Sequence, residues 1–245
     1  MSYPTDLDLS GRTLLVTGAA TGIGAACARV GAARGARVIG VDLDGAGLAD
    51  QDLAESHVRD VSSLAAVQEL ERLVGSVDLL VNAAGNSSPK AFLELTLDDW
   101  NAALVSHVKS TWNVCRTFVP GMVERRDGRI VNIASVAGKR GGGILGRAAY
   151  ASAKAAVNGL TKSIARECAQ FGVRANAVNP GVTDTRRIEP LKADPERWAQ
   201  VMAAVPLGRA AHPDEIAAAV LFLLSDASRY VTGETMNVDG GIALE

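Results

Sequence analysis

Leu14-Leu15-Val16-Thr17-Gly18-Ala19-Ala20-Thr21-Gly22-Ile23-Gly24 joins an apolar run to a glycine cluster, and a helical pattern follows through residues 23–33. The run at 13–17 reads as a buried strand, so the order is strand, glycine turn, helix, the order of a dinucleotide-binding turn. Gly18 permits the tight turn, Gly22 lets backbone approach a pyrophosphate, and Gly24 lets helix and strand pack closely. The phosphates then lie at the helix N-terminus, where unpaired N–H groups favour negative charge.

Outward from this turn the same alternation repeats. Strand-like runs at 37–41, 77–81, 129–134, 173–178 and 235–238 are separated mostly by helix-length stretches, and a short one at 56–59 brings the total to seven. Continuous apolar strands require helices on both sheet faces, and right-handed crossovers then wind the sheet in two halves. The expectation is an α/β fold, a doubly wound parallel sheet of the Rossmann type. With 245 residues, 48% of them hydrophobic, the chain is expected to form a single dinucleotide-binding catalytic domain spanning 1–245. Thr96 and Asp99 form a capping-box pattern, and Pro213 with Asp214 and Glu215 opens a helix running to Ser225. The connection 42–60 leaves room for a short helix or loop. Residues 183–211 contain Pro190, Pro195 and Pro206 with one helical patch around Trp198, and read as a mobile substrate flap.

The formal net charge of -2 and the lack of a Lys/Arg block offer no footprint for nucleic acid or an anionic membrane. The partner expected is a small molecule. Residues 1–10 carry two aspartates and no basic segment, and no stretch reaches the roughly 18 apolar residues of a spanning helix, so a cytoplasmic chain is expected. Cys27, Cys115 and Cys168 are odd in number and sit in apolar helical patterns, as buried thiols of a reducing compartment do. His57, His107 and His212 are scattered, with no metal-ligand spacing, and no metal is expected.

Tyr150 and Lys154 stand four apart in Tyr150-Ala151-Ser152-Ala153-Lys154, on one face of a helical pattern. An ammonium one turn away stabilises a phenolate, which in water forms only near about pH 10, so the pair suits general acid–base catalysis. Alone, such spacing also describes an ordinary surface pair. Ser135 follows the strand at its carboxyl end, where it can hydrogen-bond a substrate oxygen. Asp42 ends the second strand about twenty residues past the glycines, where a carboxylate accepts from both adenosine ribose hydroxyls and repels a 2′-phosphate. NAD is therefore the cofactor expected. A solvated turn aspartate is the plainer reading.

The spacing G-x-x-x-G-x-G resembles that of the short-chain dehydrogenase/reductase (SDR) family, and further motifs match in order along nearly the whole chain. Asn82-Ala83-Ala84-Gly85 resembles its Asn-Asn-Ala-Gly segment. Ser135, Tyr150 and Lys154 resemble its catalytic residues, and Asn179-Pro180-Gly181-Val182-Thr183 its Pro-Gly segment beside the nicotinamide. The resemblance implies a classical member. It assigns cofactor binding to Gly18, Thr21, Gly22, Ile23, Gly24, Asp42, Asp60, Val61, Asn82, Ala83, Gly85, Tyr150, Lys154, Pro180, Gly181, Val182 and Thr183. For Asp60, an N-cap role ahead of Ser62-Ser63-Leu64 is equally compatible.

Two departures stand out. His107 occupies the position where the family carries an asparagine that opens a helix for a proton-relaying water. A histidine there either joins the relay, with a charge that changes near about pH 6.5, or is satisfied locally. The stretch between Ser135 and Tyr150 is also longer than usual and contains Gly138-Lys139-Arg140-Gly141-Gly142-Gly143, as either a substrate-shaped loop or a surface excursion. Arg147 resembles an arginine that some members acting on short hydroxy acids keep beside the tyrosine, and Arg186 and Arg187 follow in the flap. Guanidinium groups bind carboxylates bidentately.

The function expected is an NAD-dependent oxidoreductase interconverting a secondary alcohol and a ketone, with Ser135, Arg147 and Tyr150 on a small polar substrate such as a hydroxy acid. A polyol, sugar or cyclic alcohol is the alternative, and an inactive NAD-binding regulator belongs to another class. Apolar positions Leu104, Val108, Trp112 and Val119, with Ala155, Leu160 and Ile164, exceed what one sheet face hides, and the resemblance implies a homotetramer.

Overall fold

The computed structural model describes residues 7–86, 89–143 and 146–244. Most of the N-terminal stretch considered above and two residues of the glycine-rich loop lie outside them. Seven parallel strands form one sheet: β1 (Thr13–Thr17), β2 (Arg37–Asp42), β3 (Glu55–Val58), β4 (Leu79–Asn82), β5 (Gly128–Ile133), β6 (Val173–Pro180) and β7 (Thr235–Val238). Their order is β3-β2-β1-β4-β5-β6-β7. This is a Rossmann-type sheet, and the strands fall within two residues of the apolar runs.

The intervening helices are α1 (Gly22–Ala33), α2 (Gly45–Ala49), α3 (Leu64–Val74), α4 (Leu97–Leu104), α5 (Ser110–Arg125), α6 (Ala137–Arg140), α7 (Ala148–Cys168), α8 (Glu189–Lys192), α9 (Pro195–Ala203) and α10 (Pro213–Leu224). Neighbouring strand residues point to opposite faces. Leu14 and Val16 join a core with α1 and α10, whereas Leu15 between them joins the core built with α3, α5 and α7. That division is why β1 carries Leu14, Leu15 and Val16 in unbroken succession.

The Thr96 cap is present: its Oγ1 accepts from the Asp99 N–H at 3.2 Å, and the Asp99 carboxylate accepts from the Thr96 N–H at 3.1 Å. Cys27 and Cys115 are buried free thiols, while Cys168 is partly exposed. The flap contains the helical patch expected around Trp198, and one short helix more. It carries two helices, α8 and α9, because Pro190 and Pro195 sit in their first turns, where a missing N–H costs nothing, and so start helices instead of breaking them. Ile188, Leu191, Val201 and Val205 anchor it by burial.

Between α4 and α5, residues Val105–Lys109 form a π-helical turn, so 97–125 is one long helix widened at its middle. His107 lies in that turn. Among the described residues, no helix is long and apolar enough to cross a membrane.

Candidate active site

Strand order reverses between β1 and β4, and the loops leaving their carboxyl ends open a cleft of about 760 Å³. Such a switch point is where an open α/β sheet binds ligands. A Cβ on Gly18 would stand 2.9 Å from the backbone of Ala83 and Ala84, and one on Gly24 would overlap the Gly18 carbonyl. The β1 loop, the β4 loop and the start of α1 thus meet backbone to backbone. Thr21, the N-cap of α1, makes no side-chain cap, and the first turn holds no acidic residue. The helix start is therefore free to receive an anion.

Asp42 fixes the other end of the cradle. One carboxylate oxygen accepts from the Ala20 N–H at 3.0 Å, and the other from Leu43 and Asp44 N–H groups at 2.7 and 3.1 Å. A tight backbone cradle, an uncapped helix start and a fixed carboxylate at the end of β2 fit a dinucleotide. Gly22, Ile23, Asp60, Val61, Gly85, Pro180, Gly181, Val182 and Thr183 line the same cleft. Asp60 does not cap α3: it accepts from the Ser62 N–H at 2.8 Å, and Ser63 is the N-cap.

Ser135, Tyr150 and Lys154 meet in this cleft. Ser135 Oγ accepts from the Ala137 N–H at 3.1 Å, which leaves its own proton to donate. Lys154 is 5% exposed, donates from Nζ to the Ile133 carbonyl at 2.7 Å, and stands 5.8 Å from the centre of the Tyr150 ring. Burial, and then the charge of Arg187, push its pKa down to about 7. His107 also packs on the tyrosine, its ring edge-on to Tyr150 with centroids 5.1 Å apart.

His107 is 1% exposed, with Nε2 2.6 Å from the Asn86 carbonyl oxygen. Burial first, and the charge of Lys154 second, push its pKa down to about 2. This corrects the expectation of a charge change near neutral pH: the imidazole stays neutral, because the wall of the cleft excludes the water that would hold a proton on it.

Two assigned residues do not line the cleft. Asn82 is buried behind it, donating from Nδ2 to Asn132 Oδ1 at 2.8 Å, and Asn132 donates in turn to Thr161 Oγ1 at 2.8 Å. It braces β4 against β5 and α7 rather than facing a cofactor. Arg147, the exposed N-cap of α7, is absent from the wall. The wall instead carries Arg59, Arg140, Arg186 and Arg187, and of these the sequence had singled out only the flap pair. Arg186 pairs with Asp44 at 3.5 Å, and Arg187 donates to the Gly85 carbonyl at 2.7 Å. Glycines 142, 143 and 146 also line the cleft, so the glycine-rich loop belongs to the site. Among the described residues no cluster of three His, Cys, Asp or Glu side chains is arranged to hold a metal.

Comparison with known proteins agrees with this geometry. A family model described as enoyl-(acyl carrier protein) reductase matches residues 18–243. The 3-oxoacyl-(acyl-carrier-protein) reductase FabG of Vibrio harveyi is 38% identical, over 96% of this chain and 99% of that protein. The crystal structure of a gluconate 5-dehydrogenase from Burkholderia cenocepacia, in complex with NADP and tartrate, is 33% identical with a TM-score of 0.89, covering 97% of each chain. An oxidoreductase of the short-chain dehydrogenase/reductase family from Burkholderia thailandensis is 37% identical with a TM-score of 0.87, over 94% of this chain and 92% of that one. The likeness runs from the glycine cradle through Tyr150 and Lys154 to the last strand, and the chain belongs to the short-chain dehydrogenase/reductase family.

Proposed function

We propose that this SDR oxidoreductase uses NAD(H) to interconvert a secondary alcohol and a ketone on a small polar substrate. The observation that carries the reading is the convergence of Ser135, Tyr150 and Lys154 on the cleft that also holds the glycine cradle. When bound, a nicotinamide supplies the hydride acceptor or donor. Gly18, Gly22 and the start of α1 would hold its phosphates, Asp42 its adenosine ribose, and Lys154 the ribose nearer the reaction.

In the oxidative direction Ser135 donates its hydroxyl hydrogen bond to the substrate oxygen and orients it. Tyr150 takes the hydroxyl proton as the carbon–hydrogen bond breaks, and returns it in reduction. The ammonium of Lys154 steadies the phenolate that accepts this proton in oxidation and that is left behind in reduction, in a setting where burial strengthens their attraction. His107 packs edge-on against Tyr150 and holds the ring in place.

The preference for NAD rests on the fixed Asp42 carboxylate, since a like charge at contact with a 2′-phosphate costs up to about 4 kcal/mol in a partly screened site. A relative with NADP bound makes this the sharper test. Comparing kcat/KM for NAD and NADP settles it, with Asp42→Asn expected to narrow the preference. Nicotinamide absorbance across a panel of hydroxy acids, polyols and cyclic alcohols tests the activity itself. Tyr150→Phe should still bind cofactor yet lose turnover; cofactor binding without turnover on any substrate by the unaltered protein would instead support a regulator.

Exposed Trp112 and half-buried Leu104, Val108, Val119, Leu160 and Ile164 support association of α4–α5 and α7 with a second copy; the assembly proposed is a homotetramer, and the location proposed is the cytoplasm. Light scattering on the purified protein reads the mass directly.

A further inference from the structure

Charge along the cleft is sorted by position. The carboxylates among the described wall residues, Asp42, Asp44 and Asp60, all end or follow β2 or β3, at the adenosine end. Among the described wall residues, the charged side chains at the reactive end are all cations: Lys154 on α7, Arg140 at the end of α6, and Arg187 from the flap. Arg187 reaches across to the Gly85 carbonyl at 2.7 Å while remaining exposed, and its charge disfavours protonation of both Lys154 and His107. A guanidinium has five N–H donors in a planar fork, so the bond to Gly85 leaves an edge for a ligand. Gathering like charges without an acid between them is unfavourable, and an anion seated among them reverses the sign of that interaction.

We infer that Arg187 is a specificity-determining residue that grips a substrate carboxylate, making the substrate a hydroxy acid and the product its oxo acid. This rests on the dehydrogenase reading and deepens it. It also moves carboxylate recognition from Arg147, which is off the wall, to a residue on the flap. A charged carboxylate accepts two parallel bonds from a guanidinium, whereas the matching amide offers one neutral oxygen. The flap therefore selects by charge at the same place where Ser135 and Tyr150 orient the hydroxyl.

Two measurements test this apart from the reaction class. The first compares each hydroxy acid with its amide: the unaltered protein should favour the acid by about 10- to 100-fold in kcat/KM, as loss of a charge-assisted hydrogen bond implies. Arg187→Gln should erase that preference, and Arg187→Lys should restore part of it. The second is calorimetric binding of 2-hydroxy-2-methylpropanoate and 3-hydroxy-3-methylbutanoate, tertiary alcohols that cannot yield a ketone. At least one should bind the unaltered protein, and Arg187→Gln should weaken it by about tenfold or more. An acid-to-amide ratio near one in the unaltered protein, a ratio unmoved by Arg187→Gln, or a preference erased by Arg140→Gln in its place would overturn the assignment. So would an equal loss of NAD affinity in Arg187→Gln, because the guanidinium would then serve the cofactor. Turnover on neutral alcohols alone would sink the carboxylate inference and leave the dehydrogenase standing.

Discussion

His107 donates from Nε2 to the carbonyl oxygen of Asn86 across 2.6 Å, which fixes the imidazole tautomer and leaves Nδ1 as a buried acceptor without a partner among the described residues. The bond ties the middle of a long helix to the loop that follows β4, at the side of Tyr150. In the proposed reaction this makes His107 a positioning group, and burial keeps its imidazole uncharged in the working pH range.

His107→Asn should therefore keep activity within about tenfold, roughly 1.4 kcal/mol of barrier. No inflection of the pH–rate profile between pH 5 and 8 should disappear with the histidine. Stability carries a different signature. The folded pKa of about 2 lies below the ordinary 6.5, so below pH 6.5 the unfolded chain takes up a proton that the folded one refuses. Native stability falls as pH drops from about 6.5 toward 2, and His107→Asn should flatten that part of the curve. Denaturant titrations at pH 7 and 4.5 read the difference; parallel curves for the two proteins would contradict it.

Gly85 exists as glycine because His107 fills the space where a side chain would begin. A Cβ there would overlap Nδ1 and Cε1 of the imidazole, and the backbone φ of +150° already disfavours other residues. Gly85→Ala should cost about 1–3 kcal/mol, as overpacking does. The backbone strain is common to both backgrounds but the overlap is not, so the penalty should shrink by about 1 kcal/mol when His107 is asparagine. A double-mutant cycle by thermal melting measures this, and strict additivity would sink it.

Much of this arrangement is legible in the chain itself. The apolar runs gave the central strands because a sheet covered on both faces needs no alternation, whereas the edge strand β3, Glu55-Ser56-His57-Val58, alternates in burial; the glycine spacing located the cradle. The helical patch around Trp198 marks α9, whereas α8 is hidden because it is four residues long, too short to show a period, and because prolines mark both helix starts and helix ends. Asn82 stands beside cradle residues in sequence but is buried against Asn132, fifty positions away. Arg187 meets Gly85 across 102 positions. Such pairings follow from strand order and loop path, which local pattern does not encode.

Lys154 makes the native state pay for its position at low pH more than at high pH. Its pKa of about 7 lies below the ordinary 10.5, so the unfolded chain binds more protons between those values and stability rises with pH across that window. Below about pH 7 both states are charged and the full penalty of burying the ammonium applies. Lys154→Met removes the charge and keeps the length, at the cost of the donor to Ile133. Relative to the unaltered protein it should gain most at or below pH 7, with the advantage shrinking at up to about 1.4 kcal/mol per pH unit as pH climbs toward 10. Urea titrations at pH 7 and 9.5 test the sign, and a constant difference would count against a depressed pKa.

Thr161 anchors the chain of side chains that runs behind the cleft. Its Oγ1 accepts from Asn132 Nδ2 at 2.8 Å and donates to the Val157 carbonyl at 2.8 Å, while Asn132 accepts from Asn82. Thr161 and Asn132 are both fully buried, so no water replaces a lost partner. Thr161→Val keeps the shape and removes the acceptor, which should cost about 1–3 kcal/mol for the amide left unsatisfied. Thr161→Ser keeps the hydroxyl, loses one methyl, and should cost about 1 kcal/mol. The order matters more than the size. If valine proved as stable as threonine in a thermal melt, the network would be a by-product of packing, and Asn82 would not brace β4 against the helix that carries Tyr150 and Lys154.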